Sequence, residues 1–223
     1  MNVLIKGRTI TSEPGVLRPF EIQVPGDISS AAFMIAAALL AESGSLLVTH
    51  VGLNPTRTGA LDVLRRMGAN LGVRPQAEVL GEPVGEITIT PAALRATVVQ
   101  PAEVPSLIDE IPILAVLASR AEGETVFRGV KELQVKESNR LKLMAENLRA
   151  CGVAAQASDD ELRVTGSARP PAGQVDTARD HRLAMAFAVL GTVPGANVKL
   201  SERASVSVSY PAFFTDLKRI SRG

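Results

Sequence analysis

Apolar and polar positions along the chain follow a pattern that returns three times. Gly26-Asp27-Ile28-Ser29-Ser30 leads into AAFMIAAALLAESG, Leu107-Ile108-Asp109-Glu110 into IPILAVLASRAEG, and Asp180-His181-Arg182 into LAMAFAVLGTVPG. Each run opens on an acidic residue, continues through small aliphatic residues and stops near a glycine. That predicts a helix with an acidic N-terminal turn. Such helices are apolar nearly all round and belong in an interior. A β-like stretch follows each run: LLVTHV (46–51), ETVFRGV (124–130) and ANVKLS (196–201). A polar segment then leads to an amphipathic helix: TGALDVLRRMGA (58–69), SNRLKLMAENLRACG (138–152) and YPAFFTDLKRI (210–220). In the first two cases a strand pair closes the unit, LGVRP with GEITITP and VAAQA with ELRVTG. The predicted fold class is α+β, with three βαβαββ repeat units around buried parallel helices.

The register supports the repeat, because Asp27 to Asn54, Asp109 to Lys136 and His181 to Val208 are each 27 residues apart. The units fall at about residues 21–92, 93–168 and 169–223. Residues 1–20 stand outside the pattern. Their NVLIKG and TITSE segments predict a strand pair, the tail of a preceding unit.

Charge and composition narrow the function classes. With 24 Lys+Arg against 23 Asp+Glu, the chain has no bulk basicity to grip nucleic acid. Only 3% of residues are aromatic, which argues against a base-stacking platform. Apolar content is too high for a disordered chain. The longest apolar stretches fall short of the ~20 residues of a membrane span, and MNVLIKGRTITSEPG carries no secretory signal pattern. The single cysteine, Cys151, excludes an internal disulfide and fits a reducing, cytoplasmic setting. It reads as a packed thiol. His50 and His181 leave little for a metal site.

The repeat gathers the N-terminal ends of three buried helices on one side. Free N–H groups and partial positive charge there favour an anionic ligand. Around those ends lie the candidate groups. In Gln134-Val135-Lys136-Glu137-Ser138-Asn139-Arg140, a helix starting near Ser138 leaves Lys136 and Glu137 in the loop and Arg140 in the first turn. Arg140 could then hold a carboxylate or phosphate in a two-pronged grip; the plainer reading is a Ser138 cap with solvated charges. Asp180-His181-Arg182 carries a histidine in the range useful for acid–base work, or a structural one. Asp109 and Glu110 are paired carboxylates that could divide acid and base roles, or simply suit a helix start. Arg57, within Gly52-Leu53-Asn54-Pro55-Thr56-Arg57-Thr58-Gly59, reads best as part of a turn and cap.

Taken in order, VPGDISSAAF, VGLNPTRTG, LIDEIPILAV, VKESNRL and DHRLAMAF closely resemble the 5-enolpyruvylshikimate-3-phosphate synthases, or 3-phosphoshikimate 1-carboxyvinyltransferases, from about Phe20 to the end. The resemblance implies one domain of a two-domain enolpyruvyl transferase fold: residues 1–20 as terminal strands of the first domain, 21–223 as the second, so the C-terminal half only. It implies transfer of the enolpyruvyl group of phosphoenolpyruvate to the 5-hydroxyl of shikimate 3-phosphate, with release of phosphate. No metal or organic cofactor is implied. Asp109 then takes the place of a base that also binds the shikimate hydroxyls, and Glu137 that of the proton donor to the methylene carbon. Lys136 lies at the substrate junction, Arg140 and Arg182 hold phosphoenolpyruvate, and His181 sits beside them. Three positions depart from the family pattern: Asn139 stands for aspartate, Arg179 for a small residue, and 206–211 carry no lysine. With half a site exposed to water, the chain alone is expected to be inactive, and its uncovered face gives two copies a reason to associate. The alternative is a non-catalytic anion-binding or self-associating domain of the same fold.

Overall fold

The computed structural model describes residues 3–16 and 19–221. Each repeat is built on a crossover in which a buried helix joins two segments that pair in parallel, the usual way such a connection is spanned. In the first, Gly26 bridges Val51 in parallel across α1 (Ile28–Leu39), with Val51 in β3 (Leu46–Gly52). In the second, β6 (Val98–Val99) pairs with β7 (Glu124–Arg128) across α3 (Ile111–Ala118). In the third, β10 (Ala172–Val175) pairs with β11 (Asn197–Leu200) across α5 (His181–Leu190).

The amphipathic helices follow: α2 (Gly59–Arg66), α4 (Arg140–Ala150) and α6 (Phe213–Ile220). After α2 come β4 (Asn70–Val79) and β5 (Glu82–Thr90), giving the sheet order β3-β5-β4. After α4 come β8 (Ala154–Ala157) and β9 (Glu161–Thr165), giving β6-β7-β9-β8. The last strand of each pair inserts beside the crossover strand, so the two sheets share one topology.

The helices α1, α3 and α5 pack on one another and carry the core. All of α3 is buried, consistent with its uninterrupted IPILAVLA. Small side chains allow close approach, and at Gly173 in β10 there is no room for any: a Cβ would meet the Ala150 carbonyl at the end of α4. Four aromatic side chains dock the C-terminal helix. Phe213 packs edge-to-face with Phe33, Tyr210 and Phe214 at 6.0, 5.6 and 5.1 Å between ring centroids.

At the N-terminus, β1 (Val3–Lys6) pairs antiparallel with β2 (Thr9–Ser12). Both are exposed along their length, including Leu4, Ile5 and Ile10. Asn2, the first residue of the expected strand, lies outside the described residues.

Three helix starts differ from the sequence pattern. The helix expected near Ser138 begins at Arg140, with Asn139 as its cap, accepting from the Lys142 N–H at 3.0 Å. Ser138 is instead drawn to Asp180, donating its hydroxyl at 2.9 Å. Asp109 and Glu110 lie in a 3-10 turn (Ile108–Glu110) ahead of α3, not in its first turn. The last helix starts at Phe213, not Tyr210. Tyr210 N–H closes on Val206 at 2.9 Å, and Pro211 disfavours helical geometry in the residue before it.

Candidate active site

Two of the three buried helices are opened by an aspartate that caps them. Asp27 accepts from the Ser30 N–H at 2.9 Å, and Asp180 from the Arg182 N–H at 2.9 Å. Asp180 does more, because the first residue of α4 points at it. Arg140 is completely buried and holds Asp180 through Nε at 2.7 Å and Nη2 at 3.2 Å. The carboxylate that Arg140 grips with two nitrogens is thus the protein's own. Asp180 is itself fully buried; burial raises its carboxyl pKa, but Arg140 and Ser138 outweigh that and hold it below the usual range.

The rest of the guanidinium gathers the outer carboxylates. Arg140 Nη1 lies 3.3 Å from Asp109, and Nη2 lies 2.5 Å from Glu137. Asp109 also meets Lys136 at 3.8 Å and Arg182 at 3.6 Å, so three cations converge on it. Lys136 is shared with Glu132 at 2.9 Å. His181, the first residue of α5, is held below its ordinary pKa by burial and by Arg182. Its imidazole is therefore mainly neutral at neutral pH. Five of the candidates, Asp109, Lys136, Glu137, Arg140 and Arg182, share one ion-pair network. His181 adjoins it in sequence and feels the charges of Asp180, Glu137 and Arg140.

A second string of polar groups continues from Arg182 to the first repeat. Of its members, the sequence reading assigned Arg57 a turn and cap role and left Glu110 open between acid–base work and a helix start. Glu110 is buried, and burial raises its carboxyl pKa against the opposing pull of Ser29 and Arg182. The Ser29 hydroxyl donates to Glu110 Oε1, and Arg182 Nη1 lies 3.9 Å from the same oxygen. Arg57 Nη2 reaches Ser29 Oγ at 2.9 Å and Asp27 at 3.0 Å. The expected turn is present, with Asn54 Oδ1 accepting from Thr56 N–H at 2.9 Å. Thr58 occupies the cap position without a side-chain bond. A signal for Arg57 was available: its loop is the first-repeat counterpart of the Lys136–Arg140 segment at the same 27-residue offset.

Arg57, Lys136, Arg140 and Arg182 are each paired with carboxylates. An anionic ligand must therefore displace or share a carboxylate partner. Among the partners, Glu132 and Glu137 are half exposed or more, whereas Lys136 is only 23% exposed. Among the described residues, no carboxylate pairs with Arg179, and no His/Cys/Asp/Glu group could hold a metal ion. Arg179 and Ala178 take left-handed φ values of 58° and 47°. This is an unfavourable conformation for L side chains, and glycine would relieve it at either position. No helix among the described residues is long and apolar enough to cross a membrane.

Comparison with known proteins identifies relatives of the chain. The family description of EPSP synthase (3-phosphoshikimate 1-carboxyvinyltransferase) matches residues 1–217. A 3-phosphoshikimate 1-carboxyvinyltransferase of Alkalilimnicola ehrlichii is 44% identical over 209 residues, covering 93% of this chain and 47% of the relative. One from Thermus thermophilus is 45% identical over 217 residues, covering 97% and 50%. The solved EPSP synthase of Acinetobacter baumannii superposes with a TM-score of 0.92 at 35% identity, covering 99% of this chain and 51% of that one. The enolpyruvyl transferase NikO of Streptomyces tendae, at 21% identity and a TM-score of 0.71, shares the fold. The chain spans about half the length of the curated relatives it matches. The chain belongs to the EPSP synthase (3-phosphoshikimate 1-carboxyvinyltransferase) family.

Proposed function

We propose that this chain supplies one wall of a carboxyvinyltransferase site that joins phosphoenolpyruvate to shikimate 3-phosphate. In this reading residues 1–20 are the closing strands of a complementary domain, and 21–223 form the domain that carries the site. Its units run over about 21–92, 93–168 and 169–223. The observation that carries the proposal is the single buried guanidinium of Arg140, which touches both Asp109 and Glu137 while Asp180 anchors it from below. A base and an acid acting on two atoms of one reacting complex need such a fixed spacing.

The chemistry follows from the groups. The 5-hydroxyl attacks C2 of phosphoenolpyruvate while Asp109 takes its proton. C3 gains a proton from Glu137. The C2–O bond to phosphate in the tetrahedral intermediate then breaks while C3 returns a proton to Glu137, which restores the double bond, and charge that develops on the way is met by Lys136, Arg140 and Arg182. Because Arg140 is saturated by carboxylates before substrate arrives, the substrate carboxylate takes the place of Glu137 on it. That exchange releases Glu137 from its ion pair, so that it takes up from solvent the proton it then gives to C3. His181, neutral and beside Arg182, offers a hydrogen bond without adding charge. No metal or organic cofactor has a role in this sequence of steps.

One wall leaves the reacting groups in water, where fixed charges lose most of their effect. Turnover therefore needs the complementary half, whether within a longer polypeptide or added separately. With that half present, Asp109→Asn and Glu137→Gln should each lower kcat by about a hundredfold or more, the usual contribution of a positioned acid or base. KM for phosphoenolpyruvate should change less. Near-parental kcat in either variant would remove that residue from the proposed role.

A further inference from the structure

We propose that Arg57 is a positioning residue of this site, acting through Ser29 and Glu110 to fix Arg182 and the backbone of Asp109. The inference rests on the reading of Arg182 and Asp109 given above.

Hydrogen-bond chemistry gives the string a direction. A guanidinium can only donate, so Ser29 Oγ must accept from Arg57 Nη2 at 2.9 Å. The hydroxyl has one proton, and its remaining partner is Glu110 Oε1, so that proton points at the carboxyl. Glu110 Oε1 in turn faces Arg182 Nη1 at 3.9 Å, and the same nitrogen donates to the Asp109 carbonyl at 3.0 Å. The same nitrogen of Arg57 also meets Asp27, the cap of α1, at 3.0 Å. The string thus links the starts of all three buried helices, one from each repeat. Its middle members, Ser29 and Glu110, are both buried, so neither can exchange its partner for water without loss.

Removing Arg57 frees the Ser29 hydroxyl to rotate, and Glu110 loses both a directed proton and a nearby positive charge. The groups facing Glu110 are Ser29 from α1, Arg57 from the turn before α2, Arg182 from α5 and its own neighbour Asp109. Ser29, Arg182 and Arg57 favour its ionised form, and Asp109 opposes it. Without Arg57, Glu110 protonates at higher pH and its hold on Arg182 weakens. Arg182 then loses its preset position for an incoming anion.

The test compares Arg57→Met, Arg57→Lys and Ser29→Ala with the parent chain. Carbon-13 NMR of side-chain carboxyls follows Glu110 with pH; steady-state phosphate release is then measured with the complementary half present. In Arg57→Met, the Glu110 titration should move to higher pH and KM for phosphoenolpyruvate should rise about tenfold, the scale of one charge-assisted hydrogen bond. The acid limb of kcat/KM should move up in pH, with kcat changed far less than KM. Arg57→Lys should recover most of the affinity. Ser29→Ala should reproduce Arg57→Met, and the double variant should be little worse than either, as members of one string are not additive. An unmoved Glu110 titration, or additive losses, overturns the inference. So does a parental response to phosphoenolpyruvate in Arg57→Met, while leaving the function of the site standing. If the parent chain with its complement releases no phosphate, the reading of the site fails and the inference falls with it.

Discussion

At the scale of single residues, the site is governed by Arg140 and Asp180, two completely buried charges in direct contact. Each is tolerable in the interior only because the other is there. Asp180→Asn separates the effects of charge and cap, since asparagine caps helices about as well as aspartate. It should destabilise the fold by about 3–5 kcal/mol by leaving Arg140 buried against too little negative charge. A urea titration of parent and variant reads this directly; a difference under about 1 kcal/mol would mean the pair is not holding the starts of α4 and α5 together. The sign with pH follows as well. The folded-state pKa of Asp180 is depressed, so its contribution is present above the unfolded value and is lost as pH falls through the folded one. Glu110, whose pKa is raised, acts in the opposite sense: its stabilising share is present at low pH and is lost as pH rises through its folded value.

At the scale of elements, helix starts are where the sequence said most about place and least about partnership. The three buried helices, the amphipathic helices and the closing strand pairs were legible, because apolar periodicity reports which face is buried. The precise first residues of α3, α4 and α6 were not, because a cap is decided by competition among neighbours. Ser138 is as good a cap as Asn139, but buried Asp180 claims its hydroxyl from another repeat. Arg57 was read as a turn residue for the same reason: its partners, Asp27 and Ser29, are about 30 residues away, and nothing local announces them. Asn139 marks a departure from the family's usual aspartate, and the structure gives it a plain task. Asn139→Ala should cost about 1 kcal/mol, while Asn139→Asp should be neutral or slightly stabilising through the helix dipole. Thermal melts of the two variants check this, and equal losses in both would show that the side-chain oxygen is not the cap.

For the molecule as a whole, near-neutral charge hides a concentrated arrangement. Cations that matter are few, gathered where the helices begin, and already balanced by carboxylates before any substrate is present. In the proposed reading such a site is poised for exchange of partners, and that exchange is useful only in a closed, water-poor space. The exposed pair β1 and β2, with apolar side chains in solvent, fits the proposal that a further domain completes the molecule. The most direct test of the account is a steady-state assay of phosphate release from phosphoenolpyruvate and shikimate 3-phosphate. It would use the 223-residue chain alone and the same chain with the complementary half of a relative. Turnover is expected only in the second case, and Glu137→Gln should lower it there by about a hundredfold or more. Full turnover by the chain alone, or none in a verified assembly of the two halves, would contradict it.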